Sequence, residues 1–348
     1  MTPRTLMLVS AAAQPPLRRE VAEGHRPRPE YLLLEAEYGV ELFDWSRLPR
    51  ADGSRSPARS LIHSAAAMRK LDGHDVVFSD GEHVGVPMAM AMRVLGERRP
   101  HLVIGHHLTA RGKAPLIKAL GAHRGMTRVL VHSRRQRELV SRRAGIPPAK
   151  VDYVPYGVDT AFWTPAASAT GTEPLVVSAG REHRDFATLA AACEQLPVRV
   201  FVASGSVHSP AASSAVPQRW PANFESGFAG YADLRDLYRR ASVVVVPLLE
   251  TDFQAGVTTV LEAMAAGKPV VVTSTSGQSD VIVDGETGVF VRPEDPIAMR
   301  DAIRRLLDSP DERLRLGANA REAVATQFAV EAYAGRLAEH LAEVASAN

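Results

Sequence analysis

The sequence has almost no cysteine and no long apolar run. Its 348 residues include a single cysteine, Cys193, which excludes an internal disulfide and a cysteine-built metal site. No stretch approaches the ~20 apolar residues that a membrane-spanning helix needs. The short apolar run at residues 6–13 could belong to a signal peptide, but its length better suits the first buried strand of a parallel sheet. We therefore expect a cytoplasmic protein.

Two nucleotide-binding motifs are also absent. The chain contains no Gly-x-Gly-x-x-Gly, which a dinucleotide-dependent dehydrogenase carries after a strand. The nearest approach to a P-loop fails, because Ala114 follows Gly112 and Lys113 while His107 occupies the first glycine position. Dehydrogenases and P-loop nucleoside triphosphatases are thus disfavoured.

Charge is nearly balanced overall but not locally. The chain has 41 Lys and Arg against 39 Asp and Glu, yet only Glu97 and Glu138 oppose the fourteen basic residues within 93–150. Such a surface attracts an anionic membrane or an anionic acceptor. A solvated arginine-rich face is the alternative. No aromatic residue interrupts the segment, so we do not expect nucleic acid as a partner.

Short apolar runs alternate with helical patterns along the whole chain, which predicts parallel sheets with right-handed crossovers. In the first half the predicted strands are residues 6–10, 74–79, 101–104, 128–132 and 151–155, and the predicted helices are 29–37, closed by Gly39, and 134–143. In the second half the predicted strands are 175–179, 198–203, 243–247 and 269–272, and the predicted helices are 185–195, 232–241, 257–266 and 296–307.

A composition break divides the chain. Residues 164–173 lack periodicity and large apolar side chains, as a linker does. We therefore predict an α/β protein with two Rossmann-like, doubly wound domains, 1–163 and 174–328, facing across a cleft. Residues 329–348 form a final helix that we expect to pack on the first domain. Ligands of open α/β sheets bind at the carboxyl ends of the strands.

One candidate anion site lies between a predicted strand and the helix after it. The strand ends at Ala179, Gly180 permits a tight turn, and Arg181 and Arg184 follow in the loop. Two guanidinium groups beside a helix N-terminus are suited to a diphosphate. Solvated loop arginines are the alternative.

A second candidate segment begins the helix at residues 257–266. Its first amides, at Ala255, Gly256, Val257 and Thr258, can receive negative charge. Glu262 lies further along on an otherwise small, apolar face, where a carboxylate can accept hydrogen bonds from a vicinal diol such as ribose. A salt bridge or cap within a buried helix is the alternative role for Glu262.

These segments resemble the retaining glycosyltransferases of family 4, which have the two-domain GT-B fold. The resemblance is carried by several motifs in order and is strong over about residues 128–310. They include Val-Pro-Tyr-Gly-Val-Asp at 154–159, Leu-Glu-Ala-Met-Ala-Ala-Gly-Lys-Pro-Val-Val at 261–271, and Asp-Val-Ile-Val-Asp-Gly-Glu-Thr-Gly at 280–288.

The resemblance assigns donor contacts to several residues of the second domain. Arg181 and Arg184 match the basic pair that binds the donor diphosphate, and Glu262 matches the glutamate that holds the ribose. Gly227 and Phe228 match the loop beside the nucleobase. In the first domain, the family's glycine-rich loop is reduced here to Ser-Ala-Ala-Ala at 10–13, so donor contact from that loop is not expected.

The first glutamate of the family's paired motif falls on Gln254. An amide can hydrogen-bond the hydroxyls of the donor sugar, but it carries no charge for a developing oxocarbenium ion. Glu250 and Asp252 are nearby carboxylates that can substitute, although neither occupies the motif position.

The first domain offers two polar clusters at strand ends. His107, or alternatively His106, resembles the family histidine that touches the transferred sugar; a structural loop histidine is the other reading. Asp80 and Glu82 are candidate residues on the acceptor side.

The sequence thus predicts transfer of a sugar, with retained configuration, from a nucleotide-diphosphate sugar to an acceptor that it does not identify. No Asp-x-Asp occurs, so we expect arginines and helix dipoles, and no metal or other cofactor, to neutralise the leaving group. Two alternatives remain: a nucleotide-sugar epimerase of the same fold, and a non-catalytic nucleotide-sugar-binding protein, which Gln254 makes conceivable.

Overall fold

The computed structural model describes residues 3–11, 15–48, 57–110, 112–166, 173–205, 215–278 and 280–347. Parts of the predicted linker (167–172) and of the short loop after the first strand (12 and 13), together with Arg111, lie outside the described residues. The chain divides into two compact units. The first comprises Met1–Glu23, Arg28–Pro155 and Glu331–Asn348, and the second comprises Gly24–Pro27 and Tyr156–Val330.

The first unit is built on a parallel sheet whose strands alternate with helices. Its strands are β1 (Thr5–Val9), β2 (Glu41–Asp44), β3 (Val76–Ser79), β4 (His101–Ile104), β5 (Arg128–Val131) and β6 (Val151–Tyr153). Its helices up to residue 155 are α1 (Pro15–Ala22), α2 (Glu30–Tyr38), α3 (Pro57–Met68), α4 (Glu82–Val94), α5 (Ala114–Leu120) and α6 (Arg134–Ala144). The described strands are ordered β2-β1-β3-β4-β5-β6, so the order reverses direction between β1 and β3.

The second unit repeats this architecture. Its strands are β7 (Leu175–Ala179), β8 (Arg199–Gly205), β9 (Phe224–Phe228), β10 (Val243–Val246), β11 (Val270–Thr273) and β12 (Val289–Val291). Its helices are α7 (Phe186–Cys193), α8 (Tyr231–Arg240), α9 (Val257–Ala265), α10 (Pro296–Asp308) and α11 (Pro310–Gln327), and a last helix, α12 (Val330–Ser346), follows. The described strands are ordered β12-β11-β10-β7-β8-β9, all parallel. The switch point therefore lies between β7 and β10, where a doubly wound sheet binds its ligand.

The two Rossmann-like sheets confirm the predicted fold class. The predicted strands and helices are observed with ends shifted by at most two residues, and Gly39 closes α2 in the left-handed conformation at φ 68°. The sequence analysis did not predict α1, α3, α4, α5, α11, β2, β9 or β12. Short or irregular patterns explain several of these: β2 has four residues, β12 has three, and α4 contains Pro87.

Two of the points where the chain passes between the units, after Pro155 and after Val330, lie side by side within the second unit. Val158 N donates to Phe328 O at 2.8 Å, and Val330 N donates to Val158 O at 2.9 Å. Residues 156–163, which we predicted to belong to the first domain, group with the second unit. The reason is burial, since Phe162 and Trp163 belong to the same buried cluster as Val244 and Val260. Helix α12 groups with the first unit from Glu331 onward.

No helix of the described residues is both long and apolar enough to cross a membrane.

Trp163 is 1% exposed, and truncating a buried tryptophan typically costs about 3–5 kcal/mol. We expect Trp163→Ala to lower the urea midpoint of the second unit clearly, and Leu314→Ala, at a residue 73% exposed, to leave it almost unchanged. Circular dichroism during urea titration measures both. Equal midpoints for the two variants would contradict the assignment of residues 156–163 to this core.

Candidate active site

Most of the predicted donor residues of the second unit lie beside the switch point of its sheet, in the loop after β7 and at the start of α9. The loop after β7 contains Gly180, Arg181 and Arg184, and the loop after β10 leads into α9. Gly180 has φ 100°, and a Cβ there would lie 2.3 Å from Nη2 of Arg184. Glycine is favoured because L-residues rarely adopt this φ, and because any side chain there would also displace the guanidinium of Arg184.

Arg184 is a buried cation that connects the two loops. It is 4% exposed, and its guanidinium donates to Ala179 O at 2.9 Å, Glu182 O at 2.8 Å and Thr259 Oγ1 at 3.2 Å. Burial lowers its pKa to about 10, so it remains charged at neutral pH. Arg184 therefore places positive charge beneath α9 and keeps most of its donors on the protein.

Arg181 differs from Arg184 because it is only partly buried. The two residues sit at different depths of the same loop and do not form a matched pair at the surface. Their direct contact with a diphosphate stays a prediction.

The N-terminus of α9 provides backbone donors. Its N-cap is Gly256, at φ 73°, and no side chain caps the first turn. A Cβ at Gly256 would lie 3.1 Å from both terminal nitrogens of Arg184 and 3.0 Å from Val246 Cγ1. Val257 is partly exposed and Thr258 exposed, whereas Ala255 is buried. Two of the four predicted amides are already used, because Ala255 N donates to Phe253 O at 2.8 Å and Val257 N donates to Gln254 O at 3.4 Å. The anion site expected beside the buried cation therefore depends on the other amides of this turn, those of Gly256 and Thr258.

Glu262 lies one turn inside α9 and is partly exposed. Its Oε2 accepts from the hydroxyl of Tyr238 at 3.2 Å. Burial raises the pKa of Glu262 to about 8, against the opposing effects of the Tyr238 hydrogen bond and the Arg184 charge. The carboxyl is thus held in place by α8 and is close to its titration point at neutral pH.

The remaining predicted residues of this unit lie in neighbouring loops. Gln254 is buried, and its amide nitrogen donates to Asp280 Oδ2 at 3.4 Å. Phe228, at the end of β9, is 66% exposed, which suits the predicted contact with a nucleobase.

The histidine loop of the first unit follows β4. A Cβ at Gly105 would lie 2.1 Å from Leu108 Cδ1, so the chain turns closely there. Ring Nε2 of His106 lies 2.9 Å from Asp80 O, and its carbonyl accepts from Gln136 at 3.0 Å. His107 is partly buried. His106 is therefore built into the unit, and His107 stays the predicted sugar contact.

Glu82 supports this loop from the start of α4. It is 5% exposed, and its Oε2 accepts from the amides of His106 and His107 at 3.0 and 3.4 Å. Its Oε1 accepts from Lys113 Nζ at 2.9 Å. Burial alone would raise the pKa of Glu82, but the charges of His106, Lys113 and His107 lower it to about 2. Glu82 is therefore ionised, buried and committed to the protein.

Asp80 joins the two strands at the switch point of the first sheet. Its Oδ2 accepts from the amide and hydroxyl of Ser10 at 2.7 and 2.9 Å. The acceptor-side roles proposed for Asp80 and Glu82 stay predictions.

A buried histidine attaches α12 to this unit. His132 Nδ1 lies 2.9 Å from Val154 O and must donate to it, so Nε2 is the acceptor for the Tyr333 hydroxyl at 3.4 Å. Burial and the neighbouring His106 lower the pKa of His132 to about 3, which keeps it neutral.

Sequence reasoning did not identify Tyr238, Thr259 or Asp280 as supports for the site, and it assigned Glu82 to the acceptor side and not to the support of the histidine loop. Tyr238 and Thr259 belong to helices whose buried faces carry a polar group, and that pattern is the signal available from the sequence. Their partners come from distant parts of the chain.

Two family models match the chain in succession. The model described as Glycosyltransferase Family 4 matches residues 8–162, and that described as Glycosyl transferases group 1 matches residues 223–323. Together they span most of both units. The chain belongs to the family 4 glycosyltransferases.

Several curated relatives of this family 4 chain are D-inositol 3-phosphate glycosyltransferases. That of Xylanimonas cellulosilytica is 30% identical over 222 residues, covering 56% of this chain and 52% of the relative. That of Corynebacterium diphtheriae is 40% identical over 90 residues, covering 26% and 20%. The matches therefore span about half or less of the relatives' length.

Solved structures of low identity share the fold over the full chain. Sucrose-phosphate synthase from Thermosynechococcus elongatus superposes with a TM-score of 0.71 at 20% identity, covering 99% of this chain and 100% of that one. The Anabaena protein HepE in complex with UDP-glucose gives 0.71 at 15%, covering 98% and 100%. The trehalose 6-phosphate synthase of Burkholderia multivorans gives 0.73 at 15%, covering both chains fully at 100%. The architecture is that of the GT-B fold.

We expect the free energy of unfolding of the wild type, relative to Glu262→Gln, to fall from about pH 5 to about pH 8. Glu262 has a pKa of about 8 when folded and an ordinary value of 4.5, so in this interval the folded chain keeps a proton that the unfolded chain has released. The resulting stabilisation of the folded state is complete below the pKa that Glu262 has in the unfolded chain. It is lost as the pH rises through the pKa that Glu262 has in the folded chain. Urea unfolding of both proteins across this range measures the difference. A difference that stays constant or increases with pH would show that the pKa is not raised.

Proposed function

We propose that the chain is a retaining glycosyltransferase that transfers a sugar from a nucleotide-diphosphate sugar to an acceptor without a metal ion. The observation that carries the proposal is the convergence of Arg184, the uncapped first turn of α9 and Glu262 at one switch point. A nucleoside diphosphate has an anionic diphosphate, which suits Arg184 and the helix start, and a ribose diol, which suits Glu262. Family membership and the UDP-glucose complex of HepE support the same donor class.

The proposed chemistry uses the leaving group as the base. The bond from the anomeric carbon to the diphosphate oxygen breaks, and the acceptor oxygen bonds to that carbon on the same face. The acceptor proton passes to the departing phosphate. The charge of Arg184 and the dipole of α9 stabilise the negative charge that develops on the diphosphate.

An epimerase of the same fold and a non-catalytic binding protein are the competing functions. Product analysis separates them: a transferase yields glycosylated acceptor of unchanged anomeric configuration, an epimerase yields a rearranged free sugar, and a binding protein yields neither.

We expect Glu262→Ala and Arg181→Ala each to weaken donor binding by about 1–3 kcal/mol, because each removes a side chain proposed to hydrogen-bond the donor. Isothermal titration calorimetry with UDP-glucose and GDP-mannose measures the change. Glu194→Ala, which removes an exposed carboxylate on the far end of α7, serves as the control. Donor affinity that both site variants leave unchanged would exclude this donor site.

We propose further that the protein is cytoplasmic and that its first unit contacts an anionic membrane peripherally. Large aliphatic side chains are exposed at Val94 (78%), Leu95 (68%), Leu116 (58%) and Leu120 (40%). Arg93 joins these helix ends, because its guanidinium donates to Leu120 O at 3.0 Å. Lys118 and Arg124 are exposed nearby in the chain. Exposed aliphatic groups among cations suit the boundary between lipid headgroups and acyl chains.

We expect the protein to float with vesicles of phosphatidylcholine and phosphatidylglycerol at low salt and to be released at high salt. Val94→Ser/Leu95→Ser should reduce flotation at low salt, whereas Leu314→Ser, another exposed leucine, should not. Absence of flotation at low salt would exclude the membrane contact and would leave the donor site untouched.

A further inference from the structure

Gln254 stands where the family has a glutamate, and its amide is held by the protein. The side chain is 8% exposed. The backbone around it is anchored, since Ala255 O accepts from the side chain of Gln278 and Ala255 N donates to Phe253 O at 2.8 Å. Among the described residues, the side chain that the Gln254 amide hydrogen-bonds is Asp280, whose Oδ2 accepts at 3.4 Å, and this contact orients the amide.

Chemistry sets which end of the amide faces Asp280. An ionised carboxylate only accepts hydrogen bonds, so the NH2 group of Gln254 must point to it. The carbonyl Oε1 then points away from Asp280. Within the described residues this oxygen is buried and has no hydrogen-bond partner. A buried acceptor without a donor is destabilising unless a ligand or a water molecule supplies one.

We propose that Asp280 is a positioning residue that turns the carbonyl of Gln254 toward a hydroxyl of the donor sugar. The inference rests on the proposed function and extends it. The family has a negatively charged glutamate at position 254. Here Asp280 supplies a negative charge instead, and it is separated from that position by the hydrogen bond to Gln254. Glu250 is less suited to that role, because its carboxylate accepts from Ser276 N at 3.0 Å.

The arrangement makes the two side chains a matched pair. A carboxylate at position 254 would meet that of Asp280 at hydrogen-bond distance, and two like charges so close disfavour ionisation of both. An amide at 280 would remove the conflict by donating to a glutamate at 254. Acid and amide can thus exchange places, but neither position tolerates a second acid without cost.

The test separates the sugar from the nucleotide. Isothermal titration calorimetry on the full chain measures the Kd of UDP, UDP-glucose, GDP and GDP-mannose. For each nucleotide, the Kd of the nucleoside diphosphate divided by the Kd of the nucleotide sugar gives the affinity that the sugar contributes. We expect Asp280→Ala to reduce this ratio by roughly three- to tenfold, the size of one hydrogen bond, and to leave nucleoside diphosphate binding unchanged. Asp280→Asn should retain the ratio, since its carbonyl still accepts from Gln254.

The exchange variant tests pairing directly. Gln254→Glu should lower the ratio and Gln254→Glu/Asp280→Asn should restore it, which a merely structural role for Asp280 does not predict. Asp284→Ala is the matched control, because Asp284 accepts from the backbone amide of Phe290 at 2.8 Å in the same segment and should leave the ratio unchanged. Thermal unfolding by circular dichroism verifies folding, and the Asn and exchange variants remain decisive if Asp280→Ala does not fold.

The inference is overturned if wild-type protein gains affinity from the sugar and both Asp280→Ala and Gln254→Glu keep that gain. Failure of the proposed function shows differently: wild-type protein then binds none of the four compounds, or binds them with no gain from the sugar, before any variant is made.

Discussion

The candidate site of the second unit depends on the hydrogen bonds of one buried group, the guanidinium of Arg184. It fills the space between the turn at Gly180 and the first turn of α9, and it bonds to both the β7 carbonyl end and Thr259. A cation that is this deeply buried is costly unless its donors are satisfied. The two glycines with positive φ make room for it, and the backbone and Thr259 satisfy it. The positive charge is consequently permanent, and no rearrangement is needed to bring it to the site.

The polar side chains around this cation are of two kinds. Some are supporting residues whose hydrogen bonds are made within the protein, and others are the residues proposed to contact the donor. Tyr238 and Asp280 act as backing for Glu262 and Gln254, each through one hydrogen bond. In the first unit Glu82 backs the histidine loop in the same way. Glu262, Gln254 and the histidine loop are thus held by partners from other elements, an arrangement that fixes their geometry.

The repeated strand–helix alternation made the fold predictable, because buried parallel strands such as Val243–Val246 are continuous apolar runs. Strand β9 escaped prediction because its burial pattern is mostly exposed, and α5 because it has only seven residues. The site's motif residues were visible in the sequence. The depth of Arg184, the raised pKa of Glu262 and the pairing of Gln254 with Asp280 were not, since each depends on residues brought together only by tertiary packing.

The passages of the chain between the units after Pro155 and after Val330 change what counts as a domain here. Because residues 156–330 are inserted between the segment ending at Pro155 and α12, no single cut releases an intact first unit. A fragment that stops at residue 155 lacks Tyr333, so His132 would lose the hydroxyl that its Nε2 accepts from. The second unit, by contrast, is nearly continuous in sequence, and its ends are joined through Val158 and Val330. A cut on each side of residues 156–330 therefore removes nearly all of the second unit as one continuous segment, whereas the first unit needs segments from both ends of the chain.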